Sequence, residues 1–298
     1  MTDILRTPDE RFDNLPGFDF APNYVENLPG YDGMRMHYLD EGPTNAEQVF
    51  LCLHGQPSWS YLYRKMIPVF TAAGHRAVAP DFFGFGRSDK PVADETYTFD
   101  FHRDSILRFI ERLDLRKITL VAQDWGGVIG LTLPMEMPDR FSRLIVMNTA
   151  LSTGDFPLGD GFLAWRAFSN ANPDLDIAAL MARATPILTP EEAAAYAAPF
   201  PDQSYKAGVR RFPNLVPDNP DAGGAATSRR ARDWWGAEWN GQTFMAIGMQ
   251  DPVLGAPAMR ALANQIKGCP PPLEIEEAGH FVQEWGEQVA QQALEAFA

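Results

Sequence analysis

The stretch Ile118-Thr-Leu-Val-Ala-Gln-Asp124-Trp-Gly-Gly127 decides how this chain is read. An apolar run ends in the small Ala122, Asp124 stands two residues on, and Gly126 two beyond that. Small–x–reactive–x–small is the spacing of a sharp strand-to-helix turn with a nucleophile at its apex. The flanks must be small because the turn brings the strand and helix backbones close together. Such a turn puts Asp124 at the C-terminal end of a sheet, beside a helix start that favours an ionised carboxylate. An ordinary helix N-cap is also often aspartate, and this stretch alone does not choose between the two.

Outward from Asp124 the chain repeats one pattern. Short apolar runs at Val49–Leu53, Ala77–Pro80, Ile118–Ala122, Leu144–Met147, Phe244–Gly248 and Leu273–Ile275 alternate with helix-like segments. Near-continuous apolar runs of this length indicate parallel strands buried on both faces. Helices are expected over Thr98–Leu113, Trp125–Met137, Ala258–Ile266 and Val282–Phe297. Strand–helix alternation predicts an α/β fold, a mostly parallel sheet with helices on both faces. Met34–Leu39 alternates and reads as an antiparallel edge strand. The pattern breaks from about Leu151: helical patches at Ile177–Arg183 and Pro190–Ala198 lie among many prolines, with a loop at 217–224. Residues 151–230 are expected to be a helical cap inserted between two parts of one core, 1–150 and 231–298. Gly84-Phe85-Gly86 lacks the third glycine of a dinucleotide fingerprint and reads as a tight turn.

The pattern also supplies the partners Asp124 needs. A carboxylate is already anionic near neutral pH. Unlike serine, it can displace a leaving group from an sp³ carbon and form an alkyl ester. Hydrolysing that ester takes a base. His280, in Gly279-His-Phe281, follows the last apolar run and precedes the last helix, where general-base work is placed. His37, His75 and His102 read as packing or surface residues, and His54 belongs to a separate loop. Asp251, just after the run ending at Gly248, would hold His280 in the right tautomer, although Asp-Pro is also a common turn. The rival strand end holds Asn148, which has no carboxylate. The order nucleophile, acid, histidine is that of the α/β-hydrolase fold. Loop His54-Gly-Gln-Pro57 would give the backbone N–H of Gln56 to an oxyanion hole completed by that of Trp125. The Trp125 indole offers a donor and no acceptor, which suits a departing halide, although most tryptophans simply pack.

Composition narrows the partners. The 298 residues carry a net charge of −14, from 39 acidic against 25 basic side chains, which repels phosphate backbones and disfavours nucleic acid. No stretch is long and apolar enough for a membrane span. Met1-Thr-Asp-Ile-Leu-Arg-Thr-Pro8 has no apolar core of a signal peptide, so the cytoplasm is the expected place. Cys52 and Cys269 have no metal-ligand spacing, and a disulfide is not expected. With no heptad or long exposed apolar segment, a monomer is expected.

Taken together, His54-Gly-Gln-Pro57, Asp81-Phe-Phe-Gly-Phe-Gly-Arg-Ser88, Gln123-Asp-Trp-Gly-Gly127, Gly248-Met-Gln-Asp251 and Gly279-His-Phe281 resemble the haloalkane dehalogenases over nearly the whole chain. The likeness is to the subfamily whose acid follows the seventh strand. It implies Asp124 as nucleophile, Asp251 and His280 as its partners, and hydrolysis of a small neutral haloalkane to an alcohol and a halide through an alkyl-Asp ester. It also implies a detoxifying role, and no metal or organic cofactor is expected. The resemblance further implies a second indole donor from the cap, matched here by Trp165 in Asp160-Gly-Phe-Leu-Ala-Trp165, while Trp234, Trp235 and Trp239 are read as packing residues. One departure is Gln56, where that subfamily often has Glu. Rival readings remain: an epoxide hydrolase, which would want cap tyrosines such as Tyr196 or Tyr205; a fluoroacetate-type enzyme, which would want basic residues; and a binding protein without turnover, which would show a broken triad.

Overall fold

The computed structural model describes residues 3–298, so the first two residues of the Met1–Pro8 stretch lie outside it. One large sheet holds eight strands, numbered here in chain order: β1 Asn23–Glu26, β2 Arg35–Glu41, β3 Val49–Leu53, β4 Arg76–Pro80, β5 Ile118–Gln123, β6 Phe141–Met147, β7 Gln242–Gly248 and β8 Leu273–Ile275. Their spatial order is β1-β2-β4-β3-β5-β6-β7-β8. From β4 to β8 every pairing is parallel, and β2 joins β4 and β1 antiparallel. Every residue of β3 and β5 is buried, which explains why the sequence shows solid apolar runs and not alternation: both sheet faces are covered.

Among the described residues, ten α-helices accompany the sheet: α1 Ile67–Ala72, α2 Phe99–Arg112, α3 Trp125–Gly130, α4 Asp160–Ala171, α5 Ile177–Ala184, α6 Pro190–Ala197, α7 Ala207–Arg211, α8 Ala225–Ala237, α9 Ala256–Ala263 and α10 Gly286–Ala296. The Thr98 hydroxyl caps α2 by accepting from Phe101 N at 3.0 Å, and α2 buries Phe99, Ile106, Phe109 and Ile110. Thr189 and Glu192 form a reciprocal capping box at the start of α6. The connection from β6 to β7 carries α4 to α8. The expected domain boundary at residue 230 falls within α8, whose Trp235 indole donates to Leu131 O at 2.7 Å just beyond α3.

Four readings change. Most of Met34–Leu39 belongs to an antiparallel strand, which begins at Arg35, but β2 lies between β1 and β4, and the edge is β1. With four residues, β1 is too short to show a period. The helix expected to Met137 ends at Gly130, because Pro134 has no N–H to give the carbonyl four residues back. Helices α4, α7 and α8 went unread: α4 turns Phe162 and Trp165 to a cavity, α7 has only five residues, and α8 buries mainly small residues, Ala225, Ser228 and Ala231, beside Trp235. Helix α9 starts two residues earlier than expected, with Pro257 in its first turn.

The Gly84–Gly86 segment is a turn, closed by Phe85 N to Phe82 O at 3.0 Å. It wraps the buried Asp81 carboxylate so closely that a Cβ on Gly86 would meet Asp81 Oδ2 at 1.9 Å. Asp81 is ionised well below the usual carboxylate range: burial opposes this, but His37 Nδ1 at 2.7 Å and the Ser60 and Arg87 N–H groups outweigh it. Both cysteines are free. Among the described residues, no helix is long and apolar enough to cross a membrane.

Candidate active site

Asp124 sits between β5 and α3 with φ 50° and ψ −125°, a conformation that costs a non-glycine residue about 1–3 kcal/mol. Its surroundings leave the elbow no room to relax. A Cβ on Gly126 would lie 1.9 Å from Leu53 O, and one on Gly127 would lie 2.2 Å from Thr149 Oγ1. That same Thr149 hydroxyl donates to Asp124 O at 2.7 Å, and Asp124 N donates to Asn148 O at 3.0 Å. The small residues read from sequence are thus needed at contact distance.

Three parallel strands deliver three side chains to one point. Asp124 follows β5, Asp251 follows β7, and His280 follows β8. His280 Nδ1 is 2.7 Å from Asp251 Oδ2, and His280 Nε2 is 3.5 Å from Asp124 Oδ2. Burial acts to lower the histidine pKa, but Asp251 and Asp124 together raise it to about 10. Burial likewise acts to raise Asp251, yet the His280 charge, with hydrogen bonds from His280, Asn148 Nδ2 (2.9 Å) and Val253 N (2.8 Å), holds it down at about 2. The resting pair is therefore an imidazolium flanked by carboxylates.

The loop after β3 faces the elbow. Gln56 N donates to Asp124 Oδ1 at 2.7 Å. His54 fixes this loop as a neutral imidazole: burial pushes its pKa down, Nδ1 donates to Gly55 O at 2.8 Å, and Nε2 accepts from Phe82 N at 3.0 Å. A Cβ on Gly55 would collide with Asp124 Oδ1 at 2.2 Å, so only glycine lets the loop come this close.

Asp124, Asp251, His280, Gln56, Trp125 and Trp165 all line one cavity of about 590 Å³. Its walls are mostly apolar, drawn from loop 150–159, from α4 and from α9 (Ala258, Ala261, Leu262), and among the described residues its lining holds no lysine, arginine or tyrosine. Trp59, Trp235 and Trp239 each donate their indole N–H to a protein oxygen. Trp125 and Trp165, by contrast, are the tryptophans among the described residues that line the cavity. Trp125 packs against Phe212, the residue that follows α7, with ring centroids 4.5 Å apart. Tyr196, weighed as a cap proton donor, is buried away from the cavity with its hydroxyl on Glu284, and Tyr205 is also off the lining.

Sequence reasoning missed several supporting residues. Asn148 was passed over for want of a carboxylate, yet its amide donates to Asp251 Oδ2 and to Gly248 O (3.1 Å), and its oxygen accepts from Gly248 N (2.9 Å). Its place one residue beyond β6 was the available signal. Thr149, next in the chain, carried no motif of its own, and Gln123, whose Nε2 donates to His280 O at 3.0 Å, was quoted within the elbow motif but given no role.

Known proteins are similar to this chain in family and fold. The α/β-hydrolase fold family matches residues 48–287. The haloalkane dehalogenase of Psychrobacter cryohalolentis is 47% identical over 96% of this chain and 95% of its own, and that of Mycobacterium marinum 45% over 95% of each. Among solved structures, the tetrameric haloalkane dehalogenase DpaA from Paraglaciecola agarilytica is 56% identical, covers 99% of both chains and superposes with a TM-score of 0.98.

Proposed function

Given that the chain belongs to the haloalkane dehalogenases, hydrolases of carbon–halide bonds within the α/β-hydrolase family, we propose that it acts through a covalent alkyl ester on Asp124. The observation that carries this reading is the unequal placement of the two Asp124 oxygens. Oδ1 is held by Gln56 N, while Oδ2 is the oxygen nearest His280. Oδ2 attacks the halogen-bearing carbon in line, and the carbon–halogen bond breaks as the ester bond forms. The departing halide takes the N–H groups of Trp125 and Trp165, which give it hydrogen bonds in a cavity poor in water.

Ester formation removes the charge on Asp124, and with it part of what holds the proton on His280. The imidazole, still oriented by Asp251, then becomes the base that takes a proton from water as the water attacks the ester carbonyl. Charge developing on Oδ1 falls on the N–H groups of Gln56 and Trp125. Collapse returns the carboxylate and releases the alcohol, with the halide and a proton leaving separately. Residues 151–230 act as the cap over this cavity.

An epoxide would leave as an alkoxide and need a phenol to protonate it, and no tyrosine lines the cavity among the described residues. A carboxylate substrate would need a lysine or arginine to bind it, and among the described residues the lining holds neither. The monomer expected from sequence stands against the tetramer formed by the 56% identical relative. We take self-association from that relative, since flat mixed interfaces leave no periodic mark in a sequence, and sedimentation velocity measures it. A cytoplasmic place and a detoxifying role go with this reading and are checked by cell fractionation.

The direct test is halide release from a short dihaloalkane, run beside styrene oxide, with intact-mass analysis of quenched His280→Gln. The expected result is halide release that vanishes in Asp124→Asn and an alkyl adduct that accumulates on the histidine variant. Halide release surviving Asp124→Asn, or an adduct that never forms, removes the covalent reading.

A further inference from the structure

Helix α7 ends against a proline. Val209, in its middle, would normally give its carbonyl to the N–H four residues on, but that residue is Pro213, which has none. Val209 is buried, and a buried carbonyl without a donor is costly. The donor comes from the loop after β3: Gln56 Nε2 lies 3.1 Å from Val209 O, and Gln56 is itself only 5% exposed. The acceptor decides the amide's orientation, because the opposite orientation would set two oxygens against each other.

This bond joins the two halves of the site. On the core side, the backbone N–H of the same residue holds Asp124 Oδ1. On the cap side, the segment leaving α7 carries Phe212, whose ring lies on Trp125. We propose that the side chain of Gln56 is a positioning residue: its amide N–H ties the oxyanion loop to the cap segment that seats Trp125, and the tie requires a neutral donor at position 56. The proposal rests on Asp124 as nucleophile and Trp125 as halide donor, and extends them to a residue whose side chain has no part in the chemistry.

The requirement for a neutral donor makes the proposal testable by pH. A glutamate at 56 keeps the size of the side chain but donates only when protonated. Its surroundings disfavour the charged form. From the core it faces Asp124 and, behind it, Asp251 and the His280 imidazolium, two carboxylates against one cation, and His54 in its own loop is neutral. On the cap side, Arg210 is paired with Asp94 at 2.8 Å and Arg211 donates to Tyr97 O at 3.3 Å, so both cations are engaged elsewhere. The carboxyl would therefore titrate above the usual glutamate range.

The experiment compares kcat/KM for halide release in the parent, Gln56→Met and Gln56→Glu from pH 5 to 9, each corrected for its folded fraction. Gln56→Met should lose about tenfold at every pH, with the parent's profile. The ratio of Gln56→Glu to parent should be close to one at the acid end and fall about tenfold or more as pH rises and the glutamate ionises. A side chain that served only to fill space would give a flat ratio. Gln56→Met at the parent rate, or a Gln56→Glu ratio independent of pH, overturns the proposal. Asp124→Asn in the same assay reports separately on the nucleophile, since the Gln56 readout is a ratio to an active parent.

Discussion

Replacing Asp251 with asparagine should separate the two half-reactions. Three donors converge on this carboxylate: His280 Nδ1 and Asn148 Nδ2 on Oδ2, and Val253 N on Oδ1. An amide has one oxygen for these three. With its oxygen on Val253 N, its NH2 faces Asn148 Nδ2 and His280 Nδ1. The imidazole then has to accept at Nδ1 and carry its proton on Nε2, toward Asp124, where it cannot act as a base. Asp251 and Asp124 together raise His280 against the opposing effect of burial. Losing the Asp251 charge makes the ring a weaker base, and the wrong tautomer carries the loss in ester hydrolysis toward about 10⁴-fold. Attack by Asp124 involves no proton transfer and should change little. Rapid-quench halide measurement should therefore show a burst of about one halide per active site and then a stall, with the alkyl adduct visible in the intact mass. Steady turnover near the parent rate, or a folded variant with no burst, would refute the assignment of Asp251.

Trp165→Phe keeps an aromatic wall but removes a donor, so halide affinity read by fluorescence quenching should fall about tenfold; unchanged affinity would mean that another cap residue is the second donor. His280, raised above its unfolded value, contributes stability that is complete below pH 6.5 and is lost as pH rises through about 10. The Tm advantage of the parent over His280→Gln should shrink across that window, and an advantage that grew with pH would contradict the imidazolium between two carboxylates. Glu284→Ala strips buried Arg64 of its main partner, held at 2.7 and 2.8 Å, and should cost about 3 kcal/mol, or roughly 10 °C in Tm; calorimetry showing no loss would make that network inert.

The legible parts of this protein were those where one constraint acts alone. Solid apolar runs marked β3 and β5 because both faces of these strands are covered, and Asp124, Asp251 and His280 could be placed because each follows a strand end. Gly126 was legible because a tight elbow admits nothing larger. Legibility failed where constraints overlap or act at a distance. Helix α4 carries apolar side chains toward a cavity as well as toward packing neighbours, which blurs its period. Asn148 serves Asp251 across 103 positions of sequence, and Gln56 serves Val209 across 153. Neither pairing has a local signature, and the second exists only because Pro213 withholds a donor. The turn at Gly84–Gly86 was read correctly as a turn, but its purpose, enclosing the Asp81 carboxylate, needed the fold.

The ion cluster around Glu284 has a bearing on how molecules come and go. Arg64 bridges Glu284, just before α10, to Glu192 on α6, and Tyr196 of the same helix donates to Glu284. Swinging α6 outward as one piece would strand several charges in a half-emptied interior, a far steeper climb than rearranging a loop. Phe156, which takes no part in that network, is 74% exposed while also lining the cavity, so the chain there meets solvent and cavity at once.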